Sequence, residues 1–288
     1  MRFNGFPEIK ESLIAGYLPA TFMLAPMAMA LAEHGVPVKI VYLGHRDGTA
    51  LMVRKDSDIH TVGDLRGKRV AVPNRFANQY LLLRKALANQ GMSIKNIEMV
   101  EMPPPDMPAA LYAKAVDGIT SGEPFMAQTE LDGYGRVLYQ AKDVWPGFIS
   151  CVLVVSQKAI DEHPEWVQEL VTGIARSGKW LEGGMDHRMA AAQAVATQYY
   201  NQDPRLLRFV LSTPPDRVTY SKLRLARHDF DEIAAMAFEA GVLKRRLAFE
   251  EYADPRFSES AAGASAYSWN LRERFGENLS RFPPAAAP

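Results

Sequence analysis

The chain has 288 residues, of which 48% are hydrophobic and 23% are charged, so it can bury the core of one large domain or two smaller ones without covalent staples. Its 33 basic and 33 acidic residues leave no net charge, so the composition gives no electrostatic sign of a nucleic-acid partner. The single cysteine, Cys151, excludes an internal disulfide and a cysteine-rich zinc site.

An uncharged run lies near the start of the chain. From Ser12 to Ala32 no side chain carries a charge, and the run is long enough to cross a bilayer. Within it, Ala28-Met29-Ala30 has the small residues of a signal-peptide cleavage site. Two prolines, Pro19 and Pro26, interrupt the run, and acidic residues precede it. This pattern favours part of a folded core over a membrane span or a signal peptide.

The same pattern occurs twice. When the sequence is shifted by 98 positions, the stretch Glu11–Gly35 aligns without a gap with the stretch that ends at Gly133. Each copy predicts a helix, a short buried strand, and a second helix with proline in its first turn and glycine after its end. The second copy carries several carboxylates and so cannot cross a membrane, which supports the same interpretation of the first. The identical pairs are Leu13 with Leu111, Ala15 with Ala113, Pro26 with Pro124, and Gly35 with Gly133.

Each copy is followed by two further predicted strands. The first pair is VPVKIVYLG and TALMVRKDS, and the second is GRVLYQ and ISCVLVVSQ. In each pair the first strand is expected to be the last one of its lobe, and the second strand is expected to carry the chain to the other lobe. Between the pairs, a strand at Arg69–Val72 and the helix after it form a βα unit. The sequence therefore predicts two similar lobes, each a mostly parallel sheet covered by helices. An equivalent βα unit for the first lobe would precede Met1, so we expect the sequence to begin inside a domain.

Helices dominate after about Ser156. One begins near Asp161 and Pro164, and three more follow, the last of which ends at Gly241. They are expected to pack on the first lobe, because the chain has crossed to the second lobe and returned. We predict that residues 1–52 and 153–257 form lobe 1 and that residues 53–152 form lobe 2. Residues 258–288 are rich in Ala, Ser and Pro and are expected to be a partly disordered tail.

Several strings carry a resemblance to a known family. They are LxAGxxxAxFMLAPMAMAL, VRKDSxIxTVxDLRGKRVAVP, MPPPDMPAALxAxAVDGxxxGEPF and HPEWVQELV, followed by EAGVL and YADPRF. In this order and spacing, from about Phe3 to Phe257, they resemble the solute-binding proteins of ABC importers in the NMT1/THI5-like group. That group contains proteins that bind nitrate, bicarbonate, sulfonates or thiamine precursors.

The resemblance implies an α/β fold of the type 2 periplasmic-binding-protein class, with two lobes, two crossing strands and the first βα unit of lobe 1 missing. It implies a small polar or anionic ligand in the cleft between the lobes, and ABC permease and ATPase subunits as partners. It also implies a periplasmic or other extracytoplasmic location, although no export signal is recognised in the sequence. We expect a monomer that uses no nucleic acid, cofactor or metal.

Candidate binding residues follow from this fold. In α/β sheets, ligands bind beyond the carboxyl ends of the strands, where helix amino termini present free N–H groups that favour anions. These places in both lobes, and the residues before the first crossing strand, predict ligand contacts from Pro26, Met27, His45, Arg75, Phe76, Ala77, Asn78, Gln79, Glu123 and Phe125. In the nitrate- and sulfonate-binding members that the NRFANQY turn resembles, Ser and His are commoner at the positions of Ala77 and Gln79. This difference argues against nitrate and simple sulfonates as ligands.

Some of these assignments have alternatives. Arg75 could cap a surface turn, Glu123 could pair with Arg75 or with backbone donors, and Met27 and Phe125 could belong to the core. Relatives on this fold catalyse thiamine-pyrimidine synthesis or act in menaquinone biosynthesis, so an enzyme is the main alternative function. The sequence has no P-loop, GxSxG or HExxH motif, and we expect no catalytic residues. A cytoplasmic ligand sensor and a truncated gene product are further alternatives.

Overall fold

Two β-sheets organise the computed structural model, which describes residues 3, 5–196 and 202–266. The strands are β1 (Ala20–Met23), β2 (Val38–Asp47), β3 (Thr49–Arg54), β4 (Arg69–Val72), β5 (Glu98–Glu101), β6 (Gly118–Gly122), β7 (Gly135–Gln140), β8 (Ile149–Ser156) and β9 (Val218–Thr219). The first sheet has the order β1-β8-β2-β9, and the second has the order β5-β4-β6-β3-β7. The predicted α/β class with two sheets is confirmed.

Helices flank both sheets and follow the apolar periodicity of the sequence. In the longest one, for example, Val167, Val171 and Ala175 recur every fourth position and are buried, and Pro164 stands in the first turn. The helices are α1 (Phe6–Ile14), α2 (Ala25–Glu33), α3 (Asn78–Ala88), α4 (Met107–Tyr112), α5 (Phe125–Leu131), α6 (Ala141–Val144), α7 (Gln157–Glu162), α8 (Pro164–Glu182), α9 (Met185–Val195), α10 (Pro204–Ser212), α11 (Arg227–Glu239), α12 (Phe249–Tyr252) and α13 (Arg256–Ser260).

The predicted order of elements in the repeat is confirmed, although β1 is less buried than predicted and exposes Phe22 by 41%. The first copy forms α1, β1 and α2, and the second forms α4, β6 and α5. Each second helix is followed by a glycine in the left-handed conformation, Gly35 with φ 78° and Gly133 with φ 81°. Every residue from Met23 to Leu31 is buried, which explains the absence of charge in this second part of the run, whereas residues 14–17 are exposed. None of the described helices is both long and apolar enough to cross a membrane.

The first helix of each copy ends in the same hydrogen-bonded turn. The residue at its left-handed position is Gly16 in the first copy, with φ 78°, and Lys114 in the second, with φ 60°. A side chain in this conformation adds roughly 1–2 kcal/mol of strain that glycine avoids. The turn itself therefore gives no reason for a lysine. The matching backbone bonds run from Gly16 N to Leu13 O (3.1 Å) and Tyr17 N to Ser12 O (3.0 Å), and from Lys114 N to Leu111 O (3.2 Å) and Ala115 N to Ala110 O (2.9 Å).

Replacing Lys114 with glycine is expected to raise the free energy of unfolding by about 0.5–1 kcal/mol, which is the strain relieved less the backbone entropy that glycine loses on folding. Urea unfolding measures this difference. The control is Lys114→Ala, which removes the same charge and keeps the strained conformation, so its stability should not rise. An equal gain in both variants would mean that the charge, and not the backbone, is responsible.

The sheets are less parallel than predicted. Among the described strands, β4 pairs in parallel with β5 and β6, and every other strand pair is antiparallel. The reason is the two crossings, since β3 enters the second sheet between β6 and β7, and β8 enters the first sheet between β1 and β2. A strand that arrives from the other lobe starts at the edge where its neighbours end. It therefore runs opposite to them.

The C-terminal helices divide between the two sheets. As predicted for lobe 1, α8, α12 and α13 contact β2, and α11 contacts α2. In contrast, α10 packs against α5 beside the second sheet, where Ala127, Leu206 and Val210 form a small buried cluster. The stretch after β8 thus reaches both sheets, and the exact lobe boundaries stay a prediction.

Part of the predicted tail is ordered against the first sheet. Ser258 and Ala261 are buried, in α13 and in the short 3-10 helix Ala261–Gly263 after it. Helix α13 contacts β2 and α8. Residues 267–288, which make up the rest of that predicted tail, lie outside the described residues.

Candidate functional site

The two sheets meet at Gly48, between β2 and β3. Its N–H donates to the Arg217 carbonyl at 2.7 Å, and its carbonyl accepts from the Glu123 N–H at 2.8 Å. The second crossing lies alongside, because the Asp47 N–H donates to the Phe148 carbonyl at 2.9 Å. Gly48 has φ 67°, and a Cβ atom there would lie 2.9 Å from a neighbouring side chain. Glycine is therefore required where the connections between the sheets converge.

Helix α3 begins against both crossings. Asn78 donates from Nδ2 to the Ile149 carbonyl at 2.5 Å, and Gln79 donates from Nε2 to Thr49 Oγ1 at 3.2 Å. Asn78 and Gln79 are 1% and 2% exposed. The capping residue, Ala77, has no side-chain hydrogen bond to offer. Within the described residues, the N–H groups of Asn78 and Gln79 have no hydrogen-bond partner, so the helix start presents two free donors.

Further buried polar atoms near this junction lack a partner. In the described part of the chain they include Asn74 Nδ2, Asn78 Oδ1, Gln79 Oε1, His45 Nδ1 and Asp47 Oδ1. Two amides have a fixed orientation, because Asn74 Oδ1 accepts from the Phe76 N–H at 2.8 Å and Asn78 Nδ2 faces a carbonyl. Asn74 therefore offers a donor and Asn78 an acceptor. Each such atom costs about 1–3 kcal/mol, which a bound ligand can recover.

Glu123 and Arg217 form a buried ion pair beside Gly48. Glu123 Oε1 lies 2.8 Å from Arg217 Nη1, and Arg217 Nη2 lies 2.6 Å from Glu130 Oε2. The side chains of Glu123 and Arg217 are 4% and 1% exposed, and Glu123 Oε2 accepts from the Ala127 N–H. Burial raises the pKa of the Glu123 carboxyl, and the Arg217 guanidinium opposes that shift. The alternative in which Glu123 pairs with Arg75 is wrong, since its cation is Arg217.

The structure brings part of the predicted site together. Asn78, Gln79 and Glu123 lie around Gly48, and the His45 ring is close enough that a Cβ on Gly48 would lie 3.2 Å from it. Burial lowers the pKa of His45, so its imidazole is neutral at physiological pH. The ligand contacts predicted for these residues and for Ala77 stay predictions, now with a defined geometry.

The other predicted residues lie elsewhere or in the core. Pro26 and Met27 are buried in the first turn of α2. Phe76 and Phe125 are partly buried against the hydrophobic clusters of the sheets. Arg75 is 64% exposed, with its Nε 3.3 Å from Glu101 Oε1 on β5. This surface ion pair agrees with the structural alternative for Arg75, and its role in ligand contact stays a prediction.

Sequence reasoning did not single out Arg217, Asn74, Thr49 or Ile149. Asn74 lies two residues after β4, in the turn that the same rule had located, but it was not among the predicted contacts. Arg217 gave no local signal, because it stands in a turn and its acidic partners are 94 and 87 positions away. Thr49 and Ile149 are first residues of strands, and their role depends on which helix reaches them.

Groups that could support metal or nucleophilic chemistry are few near the junction. Within residues 3, 5–196 and 202–266, no three His, Cys, Asp or Glu side chains are grouped to hold a metal ion. Burial raises the pKa of the Cys151 thiol to about 11, so the thiol is protonated at neutral pH. Arg46 lies near the end of β2, just before the first connection between the sheets. Its Nη2 atom is 2.6 Å from Asp229 Oδ2, so the guanidinium is in an ion pair.

Two curated relatives show the kind of protein that this chain resembles. It is 33% identical over 172 residues to the taurine-binding periplasmic protein of Escherichia coli, an alignment that covers 58% of this chain and 52% of that protein. It is 27% identical over 194 residues to the nitrate import ATP-binding protein NrtC of Synechococcus elongatus, covering 62% of this chain and 29% of that protein. The chain thus spans about half or less of the length of these relatives.

Solved structures share the fold over most of the chain. The ligand-binding component of an ABC-type import system from Staphylococcus aureus superimposes with a TM-score of 0.81 at 24% identity, covering 91% of this chain and 87% of that one. The desulfurization enzyme DSZB gives a TM-score of 0.59 at 18% identity, with 85% of each chain covered. The predicted two-lobed, periplasmic-binding-protein-like fold is confirmed. Residues 1–196, more than half of the sequence, match the family model described as NMT1-like, and the chain therefore belongs to the NMT1-like family.

Proposed function

We propose that this chain is the solute-binding component of an ABC importer and that it holds a small polar or anionic solute where the two sheets meet. The observation that carries the proposal is the set of buried donors and acceptors without partners at the start of α3. The taurine-binding relative and the ligand-binding component from S. aureus support the same class of function. The chain would act as a monomer in an extracytoplasmic compartment and deliver its solute to permease and ATPase subunits.

Closure of the lobes supplies the mechanism. Two connections link the sheets, one through Gly48 and one through Phe148, and rotation about them opens or closes the space between the lobes. The Asn78 side chain is hydrogen-bonded to Ile149, which follows the Phe148 connection, and the Gln79 side chain to Thr49, which follows the Gly48 connection. A ligand bound at the start of α3 therefore contacts the elements whose relative position changes on closure, so its binding energy favours one lobe arrangement.

The ligand must both accept and donate hydrogen bonds. The N–H groups of Asn78 and Gln79, together with Asn74 Nδ2, need an acceptor such as a carboxylate or sulfonate oxygen. Asn78 Oδ1 and Asp47 Oδ1 need a donor. Nitrate and unsubstituted alkanesulfonates only accept hydrogen bonds, whereas bicarbonate and taurine also donate them. Solutes of the second kind suit this site better.

Thermal unfolding with matched ligands tests the proposal. The pairs are taurine with ethanesulfonate, and bicarbonate with nitrate; each pair differs in the presence of a hydrogen-bond donor. A ligand at about 100 times its Kd stabilises a protein by about 2.7 kcal/mol, which at this chain length raises Tm by roughly 5–10 °C. We expect a shift from the donor-bearing member of a pair. The same assay also includes several aromatic carboxylates, thiamine precursors and riboflavin. If the chain unfolds cooperatively and none of these compounds or of the paired ligands changes its Tm, the proposal is contradicted.

An enzyme on the same fold is the competing interpretation, because DSZB shows that this fold carries enzymes. The high pKa of the Cys151 thiol gives no support to a cysteine nucleophile. Mass spectrometry of any ligand that shifts Tm separates the two functions. A ligand recovered unchanged after long incubation agrees with solute binding, and a converted one identifies an enzyme.

A further inference from the structure

A pocket of about 670 Å³ lies at the end of β3 that is remote from Gly48. Its lining includes Arg54, Lys55 and Asp56 after that strand, with Tyr112, Lys114 and Tyr134 opposite. Strand β3 starts at the junction and rises about 3.3 Å per residue, which puts the pocket roughly 17 Å from Thr49. This pocket, which we call the strand-end pocket, is therefore separate from the proposed solute site.

Two tyrosines form one wall of the strand-end pocket. Their ring centroids are 5.1 Å apart in an edge-to-face arrangement with an interplanar angle of 71°. Tyr134 is held in place, because its hydroxyl donates to the Pro108 carbonyl at 3.0 Å. Tyr112 is 69% exposed, so most of its ring is available for contact beside the pocket. Tyr112 packs edge-to-face on the fixed Tyr134 ring, and an exposed tyrosine beside a pocket is a residue type that often anchors a protein partner.

The charged side chains around the tyrosines are mainly cationic. Arg54 Nε lies 2.9 Å from Asp56 Oδ1, and Lys114 Nζ lies 3.9 Å from Asp56 Oδ2. Lys55 is exposed, and its side chain has no ion-pair partner among the described residues. Asp132, next to Gly133 in the lining, adds a second carboxylate near Tyr134, so three cations face two carboxylates. The surplus of positive charge suits an acidic partner.

Lys114 adds an independent argument, because its backbone conformation does not suit a lysine. The equivalent turn in the first copy of the repeat has glycine at this position, Gly16, and makes the same backbone hydrogen bonds. The second copy therefore keeps a cation beside Tyr112 at a position where glycine would be more stable. Strained backbone positions of this kind cluster at functional sites, which makes Lys114 a candidate binding residue.

We propose that the strand-end pocket binds an acidic segment of a partner protein, whose carboxylates contact Lys55 and Lys114 and whose apolar side chain packs on Tyr112. Lys114 and Asp56 are about two-thirds exposed, at 66% and 65%, so a single small anion would gain little from such solvated charges. A segment with several carboxylates and one apolar side chain uses the cations and the tyrosine together. The proposal does not depend on which solute binds near Gly48.

Fluorescence anisotropy with a labelled Glu-Glu-Phe-Glu-Glu peptide tests the proposal on the full chain. We expect binding that weakens roughly tenfold in the double variant Lys55→Glu/Lys114→Glu and severalfold in Tyr112→Ala. The matched control is Lys158→Glu/Lys244→Glu, which makes the same change in net charge at two lysines that are also exposed and lie far from the pocket in sequence. This control should bind the peptide as tightly as the unmodified chain.

Three results would overturn the proposal. The first is equal affinity for the Gln-Gln-Phe-Gln-Gln peptide, which would show that carboxylates are not recognised. The second is unchanged affinity in Lys55→Glu/Lys114→Glu, provided that its Tm shows a folded protein. The third is displacement of the peptide by inorganic phosphate at an equal concentration, which would make the pocket a small-anion site. Weaker binding in Lys114→Gly together with a higher Tm would support the proposal, since a purely structural lysine cannot produce both changes.

Discussion

Replacing Arg217 with alanine is expected to lower the free energy of unfolding by about 3–5 kcal/mol, because the change leaves the buried Glu123 carboxylate without its cation. Arg217 contacts Glu123 at 2.8 Å and Glu130 at 2.6 Å, and it is 1% exposed. Urea unfolding measures the loss. The control is Arg205→Ala, which removes an 84% exposed arginine paired with Asp203 at 2.7 Å. That variant should lose no more than about 1 kcal/mol.

The pH dependence of the Arg217→Ala variant provides a second measurement. The folded protein raises the pKa of the Glu123 carboxyl above its value in the unfolded chain, so the folded state binds this proton more tightly. The carboxyl therefore opposes folding as the pH rises through its folded pKa, and the opposition disappears on acidification. Without the guanidinium the shift should grow. We expect the stability deficit of the variant to shrink as the pH falls from about 7 towards about 5.

A double variant separates charge from packing. Arg217→Met with Glu123→Gln removes both charges of the buried pair and keeps most of the volume, so it should recover most of the lost stability. If Arg217→Ala itself costs less than about 1 kcal/mol, the interpretation of Arg217 as the partner of a buried carboxylate is wrong.

Replacing Asn78 with leucine is expected to weaken solute binding by roughly 10- to 100-fold, because the change removes the acceptor at the start of α3 and fills its space with an apolar group. The Ile149 carbonyl also loses its donor, which stands 2.5 Å away. The free energy of unfolding should therefore fall by about 1–3 kcal/mol. Isothermal titration with the solute that raises Tm measures the affinity. This prediction depends on the proposed function.

The matched control for this variant lies on the same helix. Asn89 stands at the other end of α3 and is exposed, so Asn89→Leu makes the same chemical change away from the junction. It should leave affinity unchanged. Equal affinity in Asn78→Leu and the unmodified chain would remove Asn78 from the solute site, even if the stability loss is observed.

The repeat was the most informative feature of the sequence. Pro26, Pro124, Gly35 and Gly133 marked the helix boundaries correctly, because proline and glycine restrict the local backbone whatever surrounds them. The direction of the strands was not readable in the same way. A parallel and an antiparallel buried strand have the same apolar run, and only the path of the chain between the lobes decides which one forms.

The site shows the same division between local and distant information. The carboxyl end of β4 and the start of α3 could be located from sequence, and Asn78 and Gln79 with them. That Arg75 would pair with Glu101, and Glu123 with Arg217, depends on contacts across 26 and 94 positions. No periodicity in a single sequence encodes such pairs. The sequence therefore located the turn between β4 and α3 but could not show which of its residues are paired or buried.

Helix α2 has a consequence for the chain before it is folded. All residues from Met23 to Leu31 are buried, so the helix has no water-facing side in its first two turns. A segment of this kind is stabilised almost entirely by docking and hardly at all by its own hydrogen bonds. While the chain is still unfolded, it displays an apolar stretch without a single charge to keep neighbouring chains apart. We therefore expect aggregation during synthesis and the yield of refolding to depend on how soon this segment docks on β2, which it contacts in the folded chain.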